Sequence, residues 1–210
     1  MRDDGLDILM VTYNRPEYTQ QSLGRLLDSC GDDARVWVWQ NGSDPSTLEV
    51  VNSLRGHPRF HEFHHSPENR RLREPTNWFW SKAKGRFFSK VDDDCLVPDG
   101  WIETLVRYHE EVPDLGIISC WRFEEEDFSF SESSWKIRTL QNGSALLVNV
   151  WVEGSGYMMK RACYERLEEI REGRSFTDYC IRAAQAGWTN GWVYPFLYQE
   201  HMDDPRAPHT

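Results

Sequence analysis

The stretch LDILMVTYNRPEYTQQSLGRLLDSCG, residues 6–31, decides the fold class. Residues 6–12 are almost continuously apolar, the pattern of a strand covered on both faces in a parallel sheet. Asn14 is suited to capping and Pro16 to a first helical turn. Leu23, Leu26, Leu27 and Cys30 then recur at helical spacing, and Gly31 closes the helix. The unit is strand, short turn, helix.

The unit repeats. VWVWQ (36–40) reads as a strand, followed by the loop NGSDP and a short helix ending near Gly56, with Ser46 and Glu49 as its capping box. FHEFHH (60–65) is a weaker strand and EPTNWFWSKAKG (74–85) a helix. RFFSKV (86–91) is the fourth strand. PDGWIETLVRYHEE gives a helix with Trp101, Leu105 and Tyr108 on one face. Further strands are predicted at 115–121, 146–151, 156–160 and 192–198, and helices at 161–172 and 178–187. Residues 123–144 read as an irregular insertion or hairpin. This alternation predicts an α/β fold with a mostly parallel central sheet flanked by helices. Ligands of such sheets lie beyond the carboxyl ends of the strands.

The chain has 210 residues, enough for one domain with a sizeable core. There is no internal repeat or linker, so a single domain is expected over 1–203. Its first half covers about 1–95 and its second half about 96–203. MDDPRAPHT (202–210) lacks periodicity and reads as a disordered tail, with 204–210 placed beyond the domain. The net charge of −10 argues against a nucleic-acid backbone as partner. No apolar run approaches bilayer length, and MRDDGLDILMVTYN reads as a first strand rather than a signal peptide. The five cysteines are dispersed and never form a CxxC pair, which suits reduced thiols in a cytoplasm.

The fourth strand runs into Asp92, Asp93 and Asp94. Like charges this close repel, and desolvating them is costly, so a cation is expected among them. D-x-D spacing supplies hard oxygen ligands for a divalent ion. If strand geometry continues, Asp92 and Asp94 share a side and Asp93 points away. Acidic triplets also occur as solvated turns.

Each motif is weak alone, but their order and spacing together make a specific signal. V-T-Y-N-R-P at 11–16 is followed by Q-N-G-S-D at 40–44. Asn69, Asn77 and Gly85 come next, with Arg71 where a glycine is usual. V-D-D-D at 91–94, G-S-G-Y-M-M-K-R at 154–161, T-D at 177–178 and Q-E-H ending at His201 complete the series. Over roughly residues 6–201 the chain resembles nucleotide-sugar-dependent glycosyltransferases of the GT-A fold, most closely the family 2 type. The resemblance implies a smaller mixed β region on the acceptor side and a nucleoside-diphosphate sugar as donor, UDP-sugar favoured and GDP-sugar possible. It also implies a glycan or small-molecule acceptor and Mn²⁺ or Mg²⁺ as cofactor.

On that reading Asp94 is the first choice of metal ligand. Asp92 meets the metal, its water or the ribose, and His201 supplies an imidazole that leans the choice toward Mn²⁺. Thr12, Tyr13, Asn14, Arg15, Asn41, Asp44, Asn69, Arg73, Asn77, Asp92 and Asp93 are candidates for holding the donor. Asn14 reads equally as a helix cap and Asn41-Gly42 as a tight turn. Asp178 matches the second member of the family's acidic pair, Thr177 replacing the first, and is the candidate general base; it also reads as a helix cap. Trp121, Trp151, Glu153, Gly154, Ser155 and Gly156 are the acceptor candidates, although core packing competes for each tryptophan. Two other readings stand beside this one. A sugar-1-phosphate nucleotidyltransferase would need a Gly-rich basic loop after the first strand, which T-Y-N-R-P lacks. The other is a non-catalytic carbohydrate- or nucleotide-binding module.

Overall fold

A computed structural model describes residues 5–140 and 143–206. The first half follows the predicted alternation closely: β1 (Leu6–Tyr13), α1 (Pro16–Ser29), β2 (Ala34–Asn41), α2 (Pro45–Leu54), β3 (Phe60–Ser66), α3 (Arg73–Lys82) and β4 (Phe87–Asp92). The second half adds β5 (Cys95–Leu96), α4 (Trp101–Glu111), β6 (Leu115–Ser119), α5 (Phe130–Ser133), β7 (Ile137–Thr139), β8 (Ala145–Val148), β9 (Tyr157–Lys160), α6 (Arg161–Leu167), α7 (Phe176–Gln185), β10 (Thr189–Tyr194) and β11 (Glu200–His201).

Nine strands form one sheet in the order β3-β2-β1-β4-β9-β6-β10-β8-β7. Parallel pairing joins β3, β2, β1 and β4, and also β6 with β10. β9 runs antiparallel between β4 and β6, and β8 runs antiparallel to β10 and β7. The sheet is thus mixed at the β7–β8 edge, and β5 pairs with β11 as a separate two-stranded piece. Its faces carry two apolar layers. One contains Ile8, Leu23, Leu26 and Trp101, the other Leu9, Trp80, Tyr157 and Tyr179. From β1 the chain crosses to β2 on one side, whereas β4 lies on the other. The carboxyl ends of β1 and β4 therefore frame the point where strand order reverses, the usual place for a ligand crevice.

Several local expectations are corrected. Asn14 does not cap α1; its own backbone is left-handed at φ 51°, and Arg15 occupies the cap position without a side-chain bond. Asp44, not the Ser46–Glu49 pair, caps α2, with Oδ2 accepting from Thr47 N at 2.7 Å and Thr47 Oγ1 at 2.6 Å. The helix expected to run to 172 stops at Leu167, and the strand expected at 192–198 spans Thr189–Tyr194, stopping before Pro195. Most of the insertion is short turns, but Ile137–Thr139 joins the sheet. The tail up to residue 206 is folded back: Arg206 pairs with Glu126, Asp127 and Asp204. Residues 207–210, also expected to be disordered, lie outside the described residues.

Candidate active site

β4 ends at Asp92 and the chain turns at Asp93 and Asp94, so the three carboxylates diverge. Asp92 contacts the ammonium of Lys90, two residues back on the same strand face. Asp93 folds inward, where its Oδ2 accepts from Tyr13 N at 3.1 Å. Burial pushes its carboxyl up to about 7. Asp94 Oδ2 accepts from Arg15 Nη1 at 3.0 Å and lies 3.6 Å from His201 Nε2. Arg15 bridges onward to Asp203.

His201 reaches this place because β11 pairs with β5 in the register His201 to Cys95, and Met202 N donates to Asp94 O at 2.8 Å. Asp94, Cys95 and His201 each offer one ligand atom, all within 4.8 Å of one another. A carboxylate and an imidazole together fit Mn²⁺ better than Mg²⁺, which prefers an oxygen shell. Burial holds the Cys95 thiol well above its ordinary range, so oxygen and nitrogen lead this donor set. Asp92 stands outside the group. Its expected convergence with Asp94 required the strand to continue, and it stops at Asp92, two residues short of Asp94.

A cleft of about 740 Å³ opens beside Asp92. Arg71, Arg73, Lys90, Arg122 and Arg174 line it, against the carboxylates of Asp92 and Glu153. In a chain of net charge −10, this local excess of positive charge suits an anionic ligand. The segment between β8 and β9 forms part of the wall. Asp92 N donates to Ser155 Oγ at 3.0 Å, Gly156 N to Lys90 O at 2.8 Å and Cys120 N to Gly156 O at 2.9 Å. Gly156 has φ +64°, and an added Cβ would overlap the Gln199 side-chain amide, so only glycine fits. Gly154 lines the cleft; Ser155 is buried and structural, its carbonyl accepting from Gln199 Nε2 at 3.0 Å.

Glu153 is 5% exposed. Its Oε2 accepts from Trp192 Nε1 at 2.6 Å, while Oε1 is sealed from water and has no hydrogen-bond partner among the described residues. Burial pushes this carboxyl up. Trp151 lines the cleft and meets Trp192 edge-on at 5.7 Å. Trp121 does not line it. It is a core residue, stacked on Phe196 at 4.0 Å and edge-on to Phe123 and Trp192. Asp178 is the third residue of α7, where it forms a capping box: Oδ2 accepts from Ser175 N at 2.8 Å and Ser175 Oγ at 2.7 Å. These bonds hold its carboxyl below the usual range, and the lining of the cleft reaches Thr177 but not Asp178.

Several donor-side candidates do structural work. Thr12 is buried and bonds to Gln40. Asn41 Oδ1 accepts from Trp39 Nε1 and Arg70 N, both at 2.9 Å, and its Nδ2 donates to Arg71 O at 3.0 Å. Asn69 Oδ1 accepts from Arg71 N at 2.8 Å. Together these bonds set the turn that delivers Arg71 and Arg73 to the cleft. Asn77 clamps the backbone of Ile170 from both sides, at 2.9 and 3.0 Å. Cys95, Lys90 and Arg71 were not among the predicted site residues. Lys90 was legible as the residue that shares a strand face with Asp92. Arg122 and Arg174 carry no local sequence signal.

The family model "Glycosyl transferase family 2" matches residues 7–182. A chondroitin synthase of Pasteurella multocida (strain Pm70) is 33% identical over 96 residues, covering 45% of this chain and 10% of the synthase. An uncharacterized glycosyltransferase of Rickettsia bellii (strain RML369-C) is 24% identical over 111 residues, covering 53% of this chain and 16% of that protein. The chain therefore spans a small part of the curated relatives it matches. Among solved structures, the mannosyltransferase PcManGT from Pyrobaculum calidifontis, in complex with GDP-Man and Mn²⁺, superposes with a TM-score of 0.75 at 19% identity. It covers 96% of this chain and 57% of that one. S. aureus TarS 1-349 gives a TM-score of 0.71 at 16% identity, covering 93% and 60%. Both likenesses show the fold.

Proposed function

Because the chain belongs to glycosyl transferase family 2, we propose that it moves a sugar from a nucleoside-diphosphate sugar to an acceptor hydroxyl in the cleft beside Asp92. The observation that carries this reading is the meeting of Asp94 and His201 just past the carboxyl end of β4, where strand order reverses, two residues from Asp92, which lines a cation-rich cleft. Arg71 in the β3–α3 turn and Arg73 at the start of α3, neither in an ion pair among the described residues, offer guanidinium groups to the diphosphate. Asp94 and His201 would hold a divalent cation, with Mn²⁺ favoured by the mixed oxygen and nitrogen donors. When bound, that ion supplies the positive charge that makes a diphosphate a competent leaving group.

Arg15, whose Nη1 meets both Asp94 and Asp203, would exchange Asp94 for the incoming phosphates while keeping Asp203. Trp151 and Gly154 would seat the acceptor on the opposite wall. A single displacement there inverts the anomeric centre, and the acceptor's proton passes to a carboxylate of that wall. The ligands named for the structural neighbours, GDP-Man in one and UDP-GlcNAc in a complex of the other, support the donor class. UDP-sugars come first in the test and GDP-sugars second. The test is release of nucleoside diphosphate from a panel of both with Mn²⁺. The wild type should release it from one donor class, and Asp94→Ala should lose at least about 100-fold. Wild-type release from no donor, or an unchanged Asp94→Ala rate, would overturn the reading.

A further inference from the structure

Five cations line the cleft, and four of them are accounted for. Lys90 is matched by Asp92, Arg174 lies 3.8 Å from Asp178, and Arg71 and Arg73 are assigned above to the diphosphate. Arg122, which follows β6, is left over. It is half-buried, and among the described residues its guanidinium forms no ion pair or hydrogen bond; it lies 5.8 Å from the centroid of the Phe123 ring. Glu153 feels this charge, but burial pushes its carboxyl up and weakens it as a counter-ion. An arginine half withdrawn from water without an anion is suited to one from outside, because its planar fork matches a carboxylate or a phosphate.

Arg122 and Phe123 also line a second cavity, of about 570 Å³, so the two spaces meet at these residues. Trp121 pairs with Tyr198 in a parallel bridge, Trp121 N donating to Leu197 O at 2.8 Å and Gln199 N to Trp121 O at 2.9 Å. This sets Arg122 and Phe123 beside the segment that carries His201, and His201 itself lines the second cavity. Tyr198, 46% exposed, and Phe123 give that cavity an aromatic side, which suits the apolar C–H face of a sugar ring. Arg25 lines it as well but is already paired with Asp99 and Val97 O. Glu124 and Glu200 add negative charge there, so an anionic group belongs at Arg122 and a neutral ring beyond it.

Resting on the glycosyltransferase reading above, we infer that the acceptor is an anionic glycan of two or more sugars. Its carboxylate or phosphate pairs with Arg122 where the two cavities meet, and the adjoining sugar lies over Phe123 and Tyr198 in the second cavity. The charge belongs to the acceptor and not to the donor for a positional reason. Arg71 and Arg73, assigned to the donor, do not line the second cavity, whereas Arg122 lines both spaces and shares the cleft with Trp151 and Gly154.

The test is transfer from whichever sugar donor the wild type hydrolyses with Mn²⁺ to matched acceptors. These are methyl hexosides, methyl hexuronides and methyl hexoside 6-phosphates, each also as the disaccharide with a neutral second sugar. The wild type should use an acidic acceptor at least about 10-fold better in kcat/KM than its neutral counterpart, the strength of one charge-assisted pair. Whether the hexuronide or the phosphate leads identifies the source of the charge. In Arg122→Gln that advantage should vanish through a higher acceptor KM, and Arg122→Lys should restore part of it. The acidic disaccharide should exceed the acidic monosaccharide by at least about 5-fold, and Tyr198→Ala should abolish that gain. Equal use of neutral and acidic acceptors, donor hydrolysis without transfer to any acidic acceptor, or an advantage that survives Arg122→Gln would overturn the inference. So would a gain with length that is absent or that ignores Tyr198→Ala. If Arg122→Gln does not fold, the wild-type comparison of acidic with neutral acceptors decides. A wild type that hydrolyses no donor would sink the glycosyltransferase reading, whereas hydrolysis without an acidic preference sinks only this inference.

Discussion

Arg71 holds a backbone angle, φ +57°, that glycine adopts without strain. A left-handed backbone costs an ordinary residue roughly 1–2 kcal/mol, partly offset here by the bonds from Asn41 and Asn69 to the same turn. Arg71→Gly is therefore expected to shift stability by no more than about 1 kcal/mol, in either direction, whereas Arg71→Val should lower it by about 1–2 kcal/mol. Urea denaturation checks both, and equal losses would contradict the strained turn. The sequence shows Arg71 where the family's glycine stands, but not that the turn keeps a glycine's shape around it. That shape is imposed by Asn41, thirty residues upstream. The same limit applies to Asp92. Its carboxylate was legible as a site residue, yet its partner Lys90 and its separation from Asp94 depend on where the strand ends.

At the scale of elements, α4 buries His109 against β9, where Nε2 lies 3.0 Å from Met158 O and the ring packs on Phe87. Burial pushes its imidazole down to about 3 from 6.5. Above pH 6.5 the ring is neutral in both states. Below it the unfolded chain takes up a proton that the folded protein refuses, so this stabilisation is lost as the pH falls from about 6.5 toward 3. The thermal midpoint of His109→Gln is expected to lie below the wild type at pH 7.5, with a gap that narrows by pH 4.5. A gap independent of pH would contradict this. Helical periodicity exposed Trp101, Leu105 and Tyr108 as the inward face of α4, and all three are buried. It did not mark His109, because a polar residue beside a buried stripe is indistinguishable in sequence from one that faces water. Capping was misread for a related reason. Asp44 and Ser46 are both good caps, and only the backbone path decides that Asp44 reaches Thr47.

At the scale of the molecule, alternation made the parallel half legible, since β1 to β4 and their helices follow one another along the chain. The insertion of β9 between β4 and β6 was not legible. A strand's apolar pattern reports that it is buried, not which strands flank it. That insertion brings the Glu153–Gly156 segment beside Asp92 and so creates the wall proposed for the acceptor. The return of the C-terminal segment was equally hidden. His201 was placed by resemblance, while Arg206 and Asp203 anchor the same segment through ion pairs that periodicity does not detect. Among the described residues, no helix is long and apolar enough to cross a membrane. The central claim is that Asp94 and His201 hold a divalent cation which carries the donor's diphosphate. Its most direct test is a Mn²⁺ titration followed by electron paramagnetic resonance, with and without UDP or GDP, on the wild type and Asp94→Asn. The account predicts one Mn²⁺ site that tightens when the matching nucleoside diphosphate is present and is lost in the variant; Mn²⁺ binding that ignores both the nucleotide and the substitution would contradict it.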